Sequence, residues 1–122
     1  MTTYLYFIST TRKNVVKIGI ANNPKKRLKT FQTAHYEELI ILRVIKVENR
    51  ALAFKLETAL HQKFKKYHIR GEWFKLTPTV MNFIENYQTH NISLLNELVS
   101  FFNNLTWILL LVLILLLFFK LS

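Results

Sequence analysis

The sequence contains no cysteine and few acidic residues, with seven Asp and Glu against seventeen Lys and Arg. The absence of cysteine excludes a disulfide framework and a thiolate metal site, and it is compatible with a protein that faces the cytosol. We expect no secretion signal at the amino terminus, because its apolar run "YLYFI" is only five residues long and its basic cluster follows that run. No internal repeat is visible.

The excess of positive charge lies in residues 1–90, which carry the whole net charge of +10. Residues 91–122 hold one Lys and one Glu and are therefore neutral. Because Lys and Arg displace the counterions of phosphate chains, such a surplus favours a polyanionic partner. The alternative is a soluble domain whose surface happens to be positive.

The carboxy-terminal run "LTWILLLVLILLLFFKLS" is apolar on every side. As a helix, residues 105–121 extend roughly 26 Å at about 1.5 Å per residue, which matches a thin bilayer core. Trp107 suits one membrane interface, and Lys120 can extend to the other. We therefore predict a transmembrane helix that acts as a tail anchor and leaves the basic domain in the cytosol. A buried core helix or an oligomerisation contact is the alternative.

The basic region predicts an α+β domain in which strands and helices alternate. Stretches rich in aromatic and β-branched residues predict strands at residues 3–10, 15–20 and 39–47, with a short aromatic strand in "GEWFKL". Apolar spacing, or a capping residue followed by proline, predicts helices at residues 24–33, 50–67 and 77–87. We predict a domain over residues 1–78, a helical linker over 79–104 and the membrane helix over 105–121.

Four basic residues lie at the start of the first predicted helix, at Lys25, Lys26, Arg27 and Lys29. The free N–H groups of a helix start favour phosphate, and arginine can donate two hydrogen bonds to one phosphate, which lysine cannot. We therefore expect Arg27 to contact phosphate directly and the three lysines to attract it more generally. A solvated basic helix face also accounts for the lysines.

Glu57 lies in an otherwise apolar and basic helix, with His61 four residues later on the same face. Apolar residues, among them Leu56 and Leu60, flank this face, so we expect Glu57 to point inward or into a cleft. A carboxylate in that position requires a cation or a metal as its partner. The alternative is a surface glutamate paired with a neighbouring lysine.

Four motifs follow one another in a specific order, "YLYFI", "VKIGIANNPKKRL", "ALAFKLETALHQKF" and "GEWFKL". In this order the sequence resembles the GIY-YIG nuclease superfamily. Within it, the sequence is most similar to the branch described as a bacteriophage-type DNA-binding domain, which includes the meiotically up-regulated gene proteins. The resemblance covers residues 3–76. It implies a small three-stranded antiparallel sheet flanked by helices, and DNA as the partner, with RNA left open.

The resemblance also implies roles for single residues. Tyr6 matches the tyrosine of the first motif, and Arg27 matches the catalytic arginine that stabilises phosphate charge. Glu57 matches the glutamate that holds one Mg²⁺ or Mn²⁺. Lys17 stands where the nucleases have a tyrosine that helps to deprotonate the attacking water, and Tyr4 stands where they have a glycine. The residues expected to contact nucleic acid are Lys25, Lys26, Arg27, Lys29 and His61.

Three functions are compatible with these features. The first is a membrane-anchored endonuclease that hydrolyses DNA phosphodiesters with Mg²⁺ or Mn²⁺, with Tyr6, Lys17, Arg27 and Glu57 as its catalytic residues. The second is a non-catalytic nucleic-acid-binding module of the same fold. The third is a basic domain that binds anionic lipid or an acidic protein at a membrane. A membrane helix on a DNA-binding domain suggests DNA handled near membranes, as in a large cytoplasmic DNA virus or a phage.

Overall fold

The computed structural model describes residues 2–87 and 92–121, with the backbone alone for residues 92–103. Its contacts divide the chain into two units, Met1–Thr89 and His90–Ser122. The described part of the first unit combines five strands with three α-helices. The described part of the second unit is one helix.

Three α-helices of the first unit begin where a polar side chain caps them, α1 (Pro24–Thr33), α2 (Arg50–Lys63) and α3 (Pro78–Asn86). The side chain of Asn23 accepts a hydrogen bond from the Lys26 N–H at 3.1 Å, and Pro24 occupies the first turn of α1. In α3 the side chain of Thr77 accepts a hydrogen bond from the Val80 N–H, and Pro78 occupies the first turn. The predicted starts of α1 and α3 are therefore confirmed, because their capping signals are local and need no tertiary contact.

Five strands form one antiparallel sheet, β1 (Thr3–Thr10), β2 (Val15–Ala21), β3 (Leu39–Val47), β4 (His68–Arg70) and β5 (Trp73–Lys75). Their order across the sheet is β3-β1-β2-β5-β4. The predicted α+β class with an antiparallel sheet is confirmed, but the predicted number of three strands is wrong. A short hairpin turning on Gly71 adds β5 and β4 to the free side of β2.

The two faces of the sheet are both covered. Tyr6, Ile8, Ala21 and Leu39 form a buried cluster on one face, against which Leu28 and Phe31 of α1 pack. Because strand residues alternate, the neighbouring residues of β1 and β2 face the other way, and Leu5, Phe7 and Ile18 among them are also fully buried. Helix α2 packs on β1 and β2, and α3 packs on β3. The side chains on the α1 face of β1 and β2 supply the candidate site.

The second unit contains α4 (Ile92–Leu121). Within the described residues, one helix segment, Asn104–Leu121, is long and apolar enough to cross a membrane by length and composition. Its side chains are exposed from Leu105 to Leu121. Residues 88–91 of the predicted linker lie outside the described residues. The predicted domain boundaries at residues 78 and 104 stay predictions.

Candidate nucleic-acid interface

Gly19 makes room for the side chain of Tyr6. The two residues are directly paired across β1 and β2, and their side chains would lie on the same face. A Cβ added at Gly19 would overlap the Tyr6 hydroxyl and would lie 2.6 Å from Cζ of the Tyr6 ring. The glycine of "KIG" is therefore required for space, which explains why a strand that otherwise favours β-branched residues contains it.

Tyr6 is buried between the sheet and α1, and its hydroxyl lies near the charged groups of Arg27, Glu57 and Glu72. The residue is 1% exposed. Burial raises the pKa of the Tyr6 hydroxyl, and the Glu72 carboxylate raises it further, while the Arg27 guanidinium acts in the opposite direction through its charge and a hydrogen bond. The hydroxyl is therefore protonated at neutral pH. Its oxygen accepts from Arg27, and its hydrogen is available to a ligand or a carboxylate.

Arg27 projects from the first half of α1 and is otherwise exposed. Its guanidinium lies 5.7 Å from the centre of the Phe31 ring, one turn further along the same helix. Phe31 in turn lies 6.3 Å from the Tyr6 ring, centre to centre. These contacts fix the direction of the Arg27 side chain while its remaining donors stay open to solvent, as phosphate binding requires.

Lys17 occupies the position of the second-motif tyrosine and is held from three sides. Its Nζ atom lies 3.3 Å from Oε2 of Glu72, 4.5 Å from the centre of the Phe31 ring and 5.5 Å from the Trp73 ring. The Lys17 side chain is 14% exposed and that of Glu72 is 40% exposed. An ammonium group in such a setting is stabilised by both the carboxylate and the ring faces.

Glu57 approaches the same place from α2. Its side chain is 13% exposed, as expected for a carboxylate that points into a cleft. Burial raises the pKa of the Glu57 carboxyl, and the nearby Glu72 raises it further, whereas His61 and Arg50 lower it. The two carboxyl groups are close enough to share a hydrogen bond when one is protonated. We call Tyr6, Lys17, Glu57 and Glu72 the inner cluster.

His61 is tied to the sheet. Its Nε2 atom lies 2.9 Å from the carbonyl oxygen of Ile18 and 3.9 Å from Oε1 of Glu57. Its ring also packs on Phe74, with the ring centres 5.0 Å apart. When Nε2 carries the proton it donates to Ile18, so this contact anchors α2 to β2 beside the inner cluster. The predicted contact of His61 with nucleic acid stays a prediction.

The short strand β5 explains how the inner cluster assembles. It pairs with β2 only as far as Trp73, which lies opposite Lys17, and the Ile18 N–H then bonds the Glu72 carbonyl at 3.0 Å. Beyond that point β2 has no β5 partner, so side chains from α2, β1 and the β4–β5 turn can meet beside Gly19. The hairpin thus supplies Glu72 and Trp73 to the site.

A cleft of about 360 Å³ opens beside the amino end of α1. Three cationic side chains line it, because Arg50 of α2 joins Lys26 and Arg27. Its remaining lining residues are Ile20, Ala21, Asn22, Asn23 and Thr30. An anion in this cleft would meet positive charge from two helices, as a DNA phosphate requires.

The structure separates the predicted basic residues into two groups. Lys26 and Arg27 line the cleft, whereas Lys25 and Lys29 lie outside its lining. All three lysines are exposed, and no ion pair found in the described residues involves them. Because they share this exposure, we call Lys25, Lys26 and Lys29 the outer lysines, although Lys26 also lines the cleft.

Sequence reasoning did not assign four contributors. Glu72 follows a turn, where no periodicity indicates which way a side chain points. Trp73 and Phe31 received no role in the site, although an aromatic residue near a lysine is a usable signal for a cation–π contact. Arg50 starts α2, far from α1 in the sequence, so only the fold brings it to the cleft.

A divalent cation such as Mg²⁺ requires oxygen ligands, and the inner cluster contains two carboxylates that could provide them. Within the described residues, no three His, Cys, Asp or Glu side chains come together as a metal-binding group. Mg²⁺, however, commonly uses one or two carboxylates and completes its shell with water and substrate phosphate. Glu57 fits that use, because Glu72 already has Lys17 as its partner. A metal here would therefore depend on bound DNA.

The comparison with protein-family models decides the family. The model of the T5orf172 domain matches residues 3–88. This chain belongs to the T5orf172 domain family. The family is a phage-type DNA-binding domain related to the GIY-YIG proteins, so the predicted relationship is confirmed at that level. The matched residues contain the whole inner cluster and all of the outer lysines.

One curated relative of this T5orf172 protein comes from a virus. Over 68 residues the chain is 34% identical to the "Putative KilA-N domain-containing protein 315L" of Invertebrate iridescent virus 6. The matched region is 56% of this chain and 29% of that protein, so the chain spans less than a third of the relative's length. No solved structure matches. Helix α4 lies beyond the residues that the family model matches.

Proposed function

We propose that this protein binds DNA at the cleft and the inner cluster and hydrolyses its phosphodiester bonds with Mg²⁺ or Mn²⁺. The observation that carries the proposal is that Arg27 and Glu57, from two different helices, both act on the Tyr6 hydroxyl of β1. Membership of a DNA-binding family supports DNA as the partner. The viral KilA-N relative points in the same direction.

The roles of the residues follow from their contacts. Arg27 binds the scissile phosphate and stabilises the charge that develops on its oxygens, because its outer donors are exposed. The Tyr6 hydroxyl stays protonated and orients the attacking water or a phosphate oxygen by hydrogen bonding. Glu57 would hold the metal ion. When bound, that ion supplies a Lewis acid and lowers the pKa of a coordinated water.

A second candidate function is DNA binding without hydrolysis. The contacts of Lys17 favour it, since its ammonium pairs with Glu72 at the position where nucleases of this superfamily have a tyrosine hydroxyl. A binding module requires the cleft and the outer lysines but no metal. The two candidates therefore make the same prediction for affinity and opposite predictions for cleavage.

The test uses the full chain in a non-ionic detergent with supercoiled plasmid DNA. Under the first proposal, Mg²⁺ or Mn²⁺ produces nicked and linear DNA. Arg27→Ala and Glu57→Ala reduce the rate at least 100-fold, since each removes a group that touches the reacting atoms. Glu85→Ala is the matched control, because Glu85 is exposed and lies outside the site. Tight binding with no cleavage in any metal selects the second function.

We further propose that residues 105–121 hold the protein in a membrane, with the basic domain on the cytosolic side. The length and composition of Asn104–Leu121 support this, and so does the absence of charged residues from Leu105 to Phe119. Carbonate extraction of membranes should leave the protein in the pellet, and Leu113→Lys together with Leu116→Lys should release it. Protease added to intact vesicles should remove the domain. A protected domain would contradict the orientation.

Binding of the basic domain to anionic lipid or to an acidic protein is the remaining alternative. Its own prediction is that vesicles containing phosphatidylserine compete with DNA at equal salt. We expect DNA to be preferred, because the cleft combines Arg27 and Arg50 with a helix start. A protein that binds vesicles more tightly than DNA would overturn the DNA proposal.

A further inference from the structure

Tyr36 presents its ring to solvent at the end of a chain of ring contacts that begins in the site. It is 93% exposed, in the loop between α1 and β3. A single exposed aromatic residue is ordinary and needs no explanation. Tyr36 differs because its ring lies nearly parallel to that of His35, at 11° and 5.9 Å between centres. The His35 ring therefore lies beside the Tyr36 ring at nearly the same tilt, and the Tyr36 ring stays open to solvent.

The ring contacts continue from His35 to the inner cluster. The His35 ring lies 5.9 Å from the Trp73 ring, and the Trp73 ring lies 5.5 Å from Nζ of Lys17. Three successive contacts thus connect the open ring of Tyr36 to the charged site. We call Tyr36, His35 and Trp73 the aromatic ledge.

The loop that carries Tyr36 is fixed by one side chain. Nε2 of Gln32 donates to the carbonyl oxygens of His35 and Glu37, at 3.2 and 2.8 Å, and Oε1 of Gln32 accepts from the Leu39 N–H at 2.8 Å. The backbone is held on both sides of Tyr36. A ligand that stacks on this ring would therefore lose little free energy in ordering the loop.

His35 has an unfavourable feature that folding alone does not require. Its Nδ1 atom is buried and has no hydrogen-bond partner among the described residues. A buried polar atom without a partner costs stability, which an apolar residue at this position would avoid. What His35 contributes is a flat ring between two other rings.

We propose that the aromatic ledge stacks an unpaired base of DNA whose phosphate is held at Arg27. The proposal rests on DNA binding as the proposed function and specifies the form of the DNA. Bases of an intact duplex stack on each other and cannot reach an exposed ring, so the preferred substrate has a gap, a bulge or a single strand beside the duplex. Every base has a flat face, so the ledge discriminates structure rather than sequence.

The experiment compares two labelled DNAs by fluorescence anisotropy, using the full chain in non-ionic detergent. One is a fully paired duplex, and the other has the same sequence with a three-nucleotide single-stranded gap. The wild-type protein should bind the gapped DNA more tightly. Tyr36→Ala should weaken binding to gapped DNA about 5- to 100-fold and leave duplex binding within about twofold.

Two matched variants make the result specific. Tyr36→Phe keeps a ring and should retain the preference for gapped DNA, whereas Arg27→Ala should weaken binding to both DNAs. A 2-aminopurine placed in the gap should lose fluorescence on binding to the wild type and keep it with Tyr36→Ala. Equal effects of Tyr36→Ala on both DNAs, or no effect on either, would overturn the ledge and leave DNA binding intact. A wild-type protein that binds neither DNA overturns both proposals.

Discussion

The inner cluster and the outer lysines lie in the same small domain but carry charge in different ways. In the inner cluster each charged group is partly buried and lies near another one, since Glu72 faces Lys17 and is also close to Glu57. The outer lysines are exposed, and solvent screens them. Removing Lys17 or Glu72 leaves its partner unpaired, which costs stability, whereas removing an outer lysine breaks no ion pair found in the described residues. Charge that builds a site can thus be distinguished from charge that attracts a ligand.

The largest expected effect comes from Gly19→Ala, which adds a methyl group inside the cluster. The new Cβ overlaps Tyr6, which is buried and cannot move into solvent. Overpacking of this kind costs about 1–3 kcal/mol or more. The free energy of unfolding can be measured with urea in non-ionic detergent.

Gly71→Ala is the matched control for that substitution. Gly71 has φ of +55° but no atom within 4 Å of an added Cβ, so its cost is conformational, about 1–2 kcal/mol. We expect the alanine at residue 19, and not the one at residue 71, to reduce DNA affinity as well. Equal effects of the two substitutions on affinity would mean that Gly19 does not position Tyr6.

The next effect tests whether Lys17 and Glu72 act as a pair. Lys17→Met keeps the length of the side chain and removes the ammonium, and Glu72→Gln removes the opposite charge. Because the Glu72 side chain is 40% exposed, water compensates in part, and the coupling should be about 0.2–1 kcal/mol. A double-mutant cycle of unfolding free energies measures it. Strict additivity would show that the two charges are independent despite their distance of 3.3 Å.

Much of the fold followed from local signals. The capping of α1 by Asn23, the proline at its start and the β-branched strand before it all have short-range causes. β4 could not be predicted in the same way, because His68–Arg70 is three exposed residues without alternation. Its pairing depends on β5, and that of β5 depends on β2. Short edge strands are therefore defined by their neighbours rather than by their own residues.

The third prediction concerns the pH dependence that Glu57 introduces. Its pKa in the folded state lies above the ordinary value of about 4.3, so the folded protein binds the proton more tightly than the unfolded chain does. The contribution to stability is present at acidic pH and is lost as the pH rises through the raised pKa. Glu57→Gln removes that loss. We expect the variant to be more stable than the wild type at pH 7, with the difference shrinking toward pH 4.

Urea unfolding at several pH values between 4 and 7 measures this difference. Glu85→Gln is the control, because it makes the same substitution at an exposed residue of α3 outside the inner cluster. Bound Mg²⁺ would stabilise the ionised wild type and not the variant, so the measurement is made first with a chelator. A difference between Glu57→Gln and the wild type that does not depend on pH would contradict the buried, repelled carboxylate.

The site was predictable to the extent that its residues belong to sequence motifs. Tyr6, Arg27 and Glu57 were selected from the order of the motifs, and the structure brings them near each other, although their roles are untested. The partner of Lys17 was not predictable, because the direction of Glu72 depends on a turn and on the empty space at Gly19. Arg50 was missed because it lies far from α1 in the sequence, and only the fold brings it to the cleft.

The smallest effect should come from single substitutions of the outer lysines. Each phosphate contact that is lost lowers the slope of log affinity against log salt by about 0.9. Lys25→Ala and Lys29→Ala should therefore weaken DNA binding a few-fold at low salt and leave the unfolding free energy within about 0.5 kcal/mol. Lys26→Ala should have a larger effect on affinity, because Lys26 lines the cleft with Arg27 and Arg50. Titrations at several salt concentrations separate the three lysines. If all three substitutions change the slope equally, Lys26 gains nothing from lying in the cleft and attracts DNA only as Lys25 and Lys29 do. Arg27 would then be the first residue along α1 that contacts DNA specifically.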